Sequence, residues 1–189
     1  MSEDRFYEKT LSSECIYDGK IIHVYKDDIE LPDKSKGMRE VVRHIGAVCV
    51  LPLTDDGEVI CVRQFRYPFG RVLLEIPAGK LDSKDEDHRE AALRELREET
   101  GYIPDRLTYI GALYGSPAIL DEVLYMYIAE GLTAGEIDLD ADEFVETVRI
   151  PLKDMYSMVL SGEIKDGKTQ IAVLKAYAYV NGEKINIKE

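Results

Sequence analysis

Short apolar runs separated by turn signals make up the first part of the chain, a pattern typical of β-structure. The turn Tyr17-Asp18-Gly19-Lys20 interrupts the apolar stretch 15–24. Asp-Gly between apolar runs predicts a hairpin, because such turns need residues that tolerate a positive φ. A second break, Lys-Ser-Lys-Gly at 34–37, separates apolar positions 29–31 from 40–42. We therefore predict a small N-terminal β-region over residues 1–44, followed by the main domain over residues 45–189.

The main domain alternates predicted strands with predicted helices. Apolar runs at 47–51 and 59–62, joined through Asp55-Asp56-Gly57, predict a second hairpin whose strands are covered on both faces. Segment 85–100 has no Gly or Pro and predicts a helix that ends at Gly101. Further strands are predicted at 107–113, 123–128 and 144–150, and helices at 153–160 and 169–179. This order predicts an α/β fold in which a mixed β-sheet is sandwiched between helices.

Charge and composition restrict the function. The 189 residues include 24 basic and 37 acidic side chains, and the resulting net charge of −13 argues against nucleic-acid or anionic-membrane binding. The N-terminus lacks a secretory signal and the longest apolar run, at 45–53, is too short to span a bilayer, so we expect a cytoplasmic protein. Cys15, Cys49 and Cys61 are expected to be buried, reduced thiols. A phosphate substrate would require a local cation, either a metal ion or arginines.

Three carboxylates are predicted to share one face of the central helix. Glu95, Glu98 and Glu99 are spaced i, i+3 and i+4, so their side chains emerge close together. Such oxygen donors suit Mg²⁺ or Mn²⁺. The alternative is a solvated helix surface on which arginines pair with the glutamates.

The surrounding pattern favours the metal site. Residues 79–102 read GKLDSKDEDHREAALRELREETGY and closely resemble the Nudix box, a Glu followed after seven residues by Arg-Glu-apolar-x-Glu-Glu-x-Gly-apolar. Its places are filled here by Glu86, Arg94, Glu95, Leu96, Glu98, Glu99, Gly101 and, less strictly, Tyr102. Six residues rather than the usual five separate Gly79 from Glu86, which puts the role of Glu86 in doubt.

The resemblance implies a Nudix fold and a set of roles for these residues. Metal ligands would be Glu95, Glu98, Glu99 and the carbonyl of Ala78, holding Mg²⁺ with Mn²⁺ as a possible substitute. Glu98 would also be catalytic, and Arg94 would orient the carboxylates through ion pairs.

Segments outside the box resemble the ADP-ribose pyrophosphatase branch of the family. The runs VRQFRY at 62–67 and LEIPAG at 74–79 imply that Arg66 contacts phosphate or ribose and that Glu75 lies on the adenine side. The alternative for Arg66 is a strand-edge arginine paired with an acid. Pro117, sixteen residues after Gly101, marks ADP-ribose as the substrate, although Ala118 follows it where the family more often has Gly.

The segment EFVE at 143–146 resembles the place where several ADP-ribose pyrophosphatases carry a catalytic glutamate on a closing loop. The matching residue is Glu143, with Asp142 and Glu146 as alternatives, and a solvated acidic loop is the simpler interpretation. The resemblance also implies a homodimer in which the N-terminal β-region helps to build the partner's site.

These features lead us to expect hydrolysis of ADP-ribose to AMP and ribose 5-phosphate. One alternative is the hydrolysis of another nucleoside diphosphate sugar. A second, from a different class, is a non-catalytic Nudix module that senses ADP-ribose.

Overall fold

The computed structural model describes residues 3–139, 144–185 and 187. The chain divides into two units, Met1–Ile45 with Tyr114–Glu122, and Gly46–Leu113 with Val123–Glu189. No helix among the described residues is long and apolar enough to cross a membrane.

The first unit is built on a three-stranded antiparallel sheet of order β1-β2-β3. Its strands are β1 (Lys9–Asp18), β2 (His23–Glu30) and β3 (Lys36–Arg43), preceded by a 3-10 helix at Glu3–Phe6. Both turns predicted from the sequence are present, and the backbone N–H of Gly19 closes the first by donating to the carbonyl of Ile22 at 3.0 Å. The sequence therefore predicted this hairpin and the strand that follows it.

Strand β1 is exposed along its whole length. It carries Cys15, so the expectation that this cysteine is buried is wrong. The reason is topological, since β1 is an edge strand that pairs with β2 alone. Cys49 and Cys61 are buried free thiols, as predicted, and burial raises the pKa of each to about 12.

The described residues of the second unit form two sheets and three helices. A four-stranded mixed sheet has the order β7-β4-β9-β8, and a three-stranded antiparallel sheet has the order β10-β5-β6. The strands are β4 (Ala47–Pro52), β5 (Glu58–Arg66), β6 (Arg71–Glu75), β7 (Ala78–Lys80), β8 (Tyr102–Leu113), β9 (Leu124–Ala134) and β10 (Val145–Pro151); the helices are α1 (His88–Thr100), α2 (Leu152–Leu160) and α3 (Gly167–Val180).

The predicted hairpin between β4 and β5 is wrong, because the two strands lie in different sheets. The chain does turn between them, where Gly57 has a φ of 79°, and the two sides are joined by the bridge between Leu53 and Val59 and by the backbone N–H of Thr54, which donates to the carbonyl of Glu58 at 2.9 Å. Beyond that bridge β4 pairs with β9 and β7, whereas β5 pairs with β10 and β6. The turn signal thus predicted the reversal of the chain and not the partner of each strand.

The mixed sheet lies between helices, as predicted, and β4 shows why. All six of its residues are buried. Cys49 and Leu51 pack in one core cluster with residues of α2 and α3, while Val48 and Val50 pack in another with residues of α1. Because successive side chains of a strand point to opposite faces, a continuous apolar run requires cover on both sides.

Helix α1 begins at His88, three residues later than the sequence predicted. Asp87 caps it, since its side chain accepts the backbone N–H groups of Arg89 at 2.8 Å and Glu90 at 3.1 Å. The helix ends as predicted at Gly101, whose φ of 75° suits glycine. The cap and the terminal glycine therefore fix where α1 begins and ends.

Candidate active site

Arg94 lies at the centre of the acidic face of α1. Its Nη1 donates to Glu95 Oε1 at 2.8 Å and to Glu98 Oε2 at 3.2 Å, and its Nη2 donates to Glu86 Oε1 at 3.3 Å. Its Nε also lies 3.6 Å from Asp82 Oδ2. Burial disfavours the charged guanidinium, but Glu95 and the neighbouring carboxylates outweigh it and raise the pKa of Arg94. One arginine thus links four acids.

Glu86 belongs to this cluster although the loop before it carries an extra residue. Besides accepting from Arg94, its carboxylate accepts the backbone N–H of Asp82. The carbonyl of Lys80 accepts a further bond from Arg94 Nη2 at 3.2 Å. The loop 80–86 is therefore tied to the helix at both of its ends, which the spacing alone could not predict.

The backbone at Gly79 lies directly against the side chain of Glu95. A Cβ on residue 79 would lie 2.0 Å from the carboxyl carbon of Glu95, far inside contact distance. The preceding residue, Ala78, donates its N–H to Glu99 Oε2 at 3.1 Å. Strand β7 and two glutamates of α1, Glu95 and Glu99, are thereby brought together.

The donors present fit a divalent cation by their chemistry. Carboxylates and a backbone carbonyl are the hard oxygen ligands that Mg²⁺ and Mn²⁺ prefer. Within the described part of the chain, no three acidic, histidine or cysteine side chains already converge as a metal site. In this structure the oxygens of Glu95 and Glu98 face Arg94, and Glu99 faces the backbone of Ala78.

Arg66 is paired with Glu75, the alternative that the sequence left open. Its Nε and Nη2 donate to the two oxygens of Glu75, each at 2.7 Å, in a bidentate ion pair. Burial favours the neutral acid, but the bonds from Arg66 and Lys168 outweigh it and lower the pKa of Glu75. The predicted contact of Glu75 with an adenine stays a prediction, and the carboxylate already has two cationic partners.

Sequence reasoning missed Lys168, Asp166 and Thr169 at the start of α3. Lys168 Nζ contacts Glu75 and lies 3.1 Å from Asp166 Oδ1. The hydroxyl of Thr169 accepts the backbone N–H of Ile76 at 2.9 Å. The segment DGKT at 166–169 contains a helix-cap signal, but nothing local links it to a strand 93 residues earlier.

The remaining predicted residues are Pro117, Asp142, Glu143 and Glu146. Pro117 belongs to the first unit, in the segment Tyr114–Glu122, and its role stays a prediction. Glu143 and Asp142 lie outside the described residues. Glu146 is described, and its carboxylate lies 3.4 Å from Arg63 Nη1 on the neighbouring strand β5.

An α/β domain with this acidic helix set against a glycine is the architecture of the Nudix class. The NUDIX domain model matches residues 42–171, and the model called nucleoside diphosphate sugar hydrolase N-terminal domain matches residues 8–42. The first match spans most of the chain, so the chain belongs to the Nudix family. This confirms the family predicted from residues 79–102.

Individual proteins resemble the chain over most of its length. It is 48% identical over 168 residues to an ADP-ribose pyrophosphatase of Bacillus subtilis (strain 168), covering 88% of this chain and 90% of that protein. It is 41% identical over 170 residues to a methanol dehydrogenase activator of Bacillus methanolicus, and the match covers 89% of this chain and 91% of that protein. A solved structure described as an ADP compounds hydrolase superposes with a TM-score of 0.79 at 22% identity, over 93% of this chain and 96% of that chain. This similarity supports the fold.

We predict that Gly79→Ala displaces the Glu95 carboxylate and separates it from Arg94, because the new methyl group would occupy its place. The atoms that must move are the end of a flexible side chain, so the loss of stability should be small. We expect the free energy of unfolding to fall by about 1 kcal/mol and the melting temperature by roughly 2–4 °C. A crystal structure of the variant and a thermal melt would measure both effects.

Gly167→Ala is the matched control, because a Cβ there meets nothing within 4 Å. It should leave Glu95 in place and stabilise α3 slightly. An unmoved Glu95–Arg94 pair in Gly79→Ala would contradict the close packing described above.

Proposed function

We propose that this protein hydrolyses the pyrophosphate bond of ADP-ribose, giving AMP and ribose 5-phosphate, with Mg²⁺ as cofactor and Mn²⁺ as a possible substitute. The observation that carries the proposal is the set of box carboxylates held on one face of α1 by Arg94 and packed against Gly79. The similarity to a relative named ADP-ribose pyrophosphatase supports the choice of substrate.

Each residue of the site then has a distinct task. The carboxylates of Glu95, Glu98 and Glu99, with the carbonyl of Ala78, would hold the divalent cation. When bound, such a cation neutralises a diphosphate and lowers the pKa of a coordinated water. Arg94 holds the carboxylates close together and orients them, since like charges at these helical spacings otherwise repel each other.

Arg66 is the residue we assign to the substrate's phosphates. Only two of the five N–H donors of a guanidinium are engaged by Glu75. The pair fixes the plane of the guanidinium, and the side chain is 38% exposed, so its other donors can meet an anion from solvent. Pro117 we assign to the loop that selects the terminal ribose.

A second candidate is the hydrolysis of another nucleoside diphosphate sugar. The match of residues 8–42 to a nucleoside diphosphate sugar hydrolase N-terminal domain favours this candidate without distinguishing the sugar. A non-catalytic sensing module is less compatible with the chain, because every carboxylate of the box is retained.

A substrate panel separates these possibilities. ADP-ribose, ADP-glucose and GDP-mannose would each be incubated with the protein and Mg²⁺, and phosphate would be released from the products by a coupled phosphatase. Preferential turnover of ADP-ribose that stops with a chelator supports the proposal. Preference for another sugar supports the second candidate, and binding without turnover supports the sensor.

We predict that Glu98→Gln and Glu99→Gln each lower kcat by orders of magnitude while the fold survives, because an amide is a weaker ligand than a carboxylate. Glu90→Gln is the matched control, as an exposed glutamate in the first turn of the same helix. Circular dichroism would check the fold. Full activity in both site variants would refute the metal assignment.

We predict that Glu143→Gln lowers kcat by roughly 10²–10⁴-fold, the usual contribution of a positioned general base, with ADP-ribose binding nearly unchanged. Asp142→Asn and Glu146→Gln should be measured in parallel, since family members differ in which acid serves. Loss of activity in one of those variants alone would move the assignment to that residue. Wild-type activity in all three would leave water activation to the metal ligands.

We also propose a homodimer in which the N-terminal β-region, residues 1–44, completes the partner's site. The exposed length of β1 supports this, because an uncovered edge strand is a surface that proteins usually protect. Sedimentation should give twice the mass of the 21.4 kDa chain. A fully active monomer, or an active truncation starting at Ile45, would count decisively against shared sites.

A further inference from the structure

Lys168 contacts the same buried carboxylate that holds Arg66. Its ammonium donates to Glu75 Oε2, the oxygen that also accepts from Arg66 Nη2. Glu75 has only 2% of its side chain exposed and Lys168 only 12%. Two cations from different elements therefore meet on one carboxylate that water hardly reaches.

The start of α3 is fastened to the strand region that carries Glu75. Asp166 caps the helix by accepting the backbone N–H of Thr169 at 3.0 Å. The hydroxyl of Thr169 in turn accepts the backbone N–H of Ile76, the neighbour of Glu75. Lys168 is thus held in place by bonds on both sides of it, and its contact with Glu75 follows from the position of the helix.

The charges in this group alternate along a row. Arg66, Glu75, Lys168 and Asp166 follow one another with opposite signs, and together they are neutral. Without Lys168 the three remaining groups, with the arginine included, would carry a net charge of −1. In a region of low dielectric constant, one such charge is felt over several ångströms.

We propose that Lys168 is a positioning residue for the substrate's diphosphate, which acts by neutralising Glu75 and so keeps Arg66 attractive to an anion. The inference rests on the proposed role of Arg66 and extends it to α3. Lys168 does not itself touch the reacting atoms. Its contribution is electrostatic, and it appears in substrate binding rather than in the chemical step.

The test compares the full-length wild-type protein with Lys168→Met. We expect KM for ADP-ribose to rise about five- to tenfold, the effect of one unit charge several ångströms from an anion at a partly screened site. We expect kcat to stay within about twofold, because the metal-site carboxylates are untouched. The difference in KM should shrink as salt is raised.

Three further variants separate charge from packing. Lys168→Arg should keep the wild-type KM, and Lys165→Met, which removes an exposed lysine three residues away, should change little. The double variant Lys168→Met/Asp166→Asn restores neutrality and retains a good helix cap, so it should recover most of the lost affinity. A merely structural role for Lys168 would not be rescued by removing a second charge.

Two outcomes would overturn the inference: an unchanged KM in Lys168→Met, or a raised KM that neither Lys168→Arg nor the double variant restores. Measuring the affinity for ADP-ribose by calorimetry tests the role of Lys168 in binding independently of catalysis. If the wild-type protein binds ADP-ribose without hydrolysing it, the proposed function fails, and the affinities of the same variants still decide the role of Lys168.

Discussion

The site depends on one guanidinium, that of Arg94, placed among four carboxylates. Glu95 and Glu98 project from the same face of α1, and Asp82 and Glu86 come from the preceding loop. These acids repel one another unless a cation lies between them. Because Glu95 is buried, its ion pair with Arg94 offsets part of the cost of keeping that charge away from water. The arginine thus permits an acidic cluster that the fold could not otherwise hold.

The position of that cluster is set by contacts between side chains and the backbone and by strand pairing. Asp87 fixes where α1 begins, and the three residues of β7 pair with β4 in the mixed sheet. Gly79 then lies so close to Glu95 that no side chain fits between them. The carboxylate of Glu95 therefore lies directly against the backbone of β7, next to Ala78, whose N–H donates to Glu99.

The sequence predicted most of the fold, because the signals for it are local. Apolar runs predicted β4 and β5, and the absence of Gly and Pro predicted α1. The error at the β4–β5 turn arose because a turn signal reports a reversal, while the pairing of each strand depends on segments far away in the chain. Cys15 was misjudged for a related reason, since its apolar neighbours say nothing about which strand will lie at an edge.

In the candidate site, too, contacts within one helix were predictable and contacts between distant segments were not. Glu95, Glu98 and Glu99 were predicted to share one face because a helix converts their spacing into proximity, whereas the role of Arg94 came from the resemblance to the Nudix box. The partnership of Glu75 with Lys168 has no such signal, because it joins β6 to α3 across 93 residues. Only packing of the core decides that these two elements meet.

The two charge clusters of the second unit solve different electrostatic problems in a chain of net charge −13. Around Arg94, one cation among four carboxylates leaves a net charge of −3, which attracts a divalent cation and repels a free diphosphate. Around Arg66 the charges of the cations and anions cancel, and the guanidinium of Arg66 is the most exposed group of the row. The cluster around Arg66 therefore does not repel an anionic substrate. The acidic cluster around Arg94 would attract such a substrate only after a cation had bound. Under the proposed function, this difference in charge would select a metal-bound diphosphate, because neither cluster alone favours both the cation and the anion.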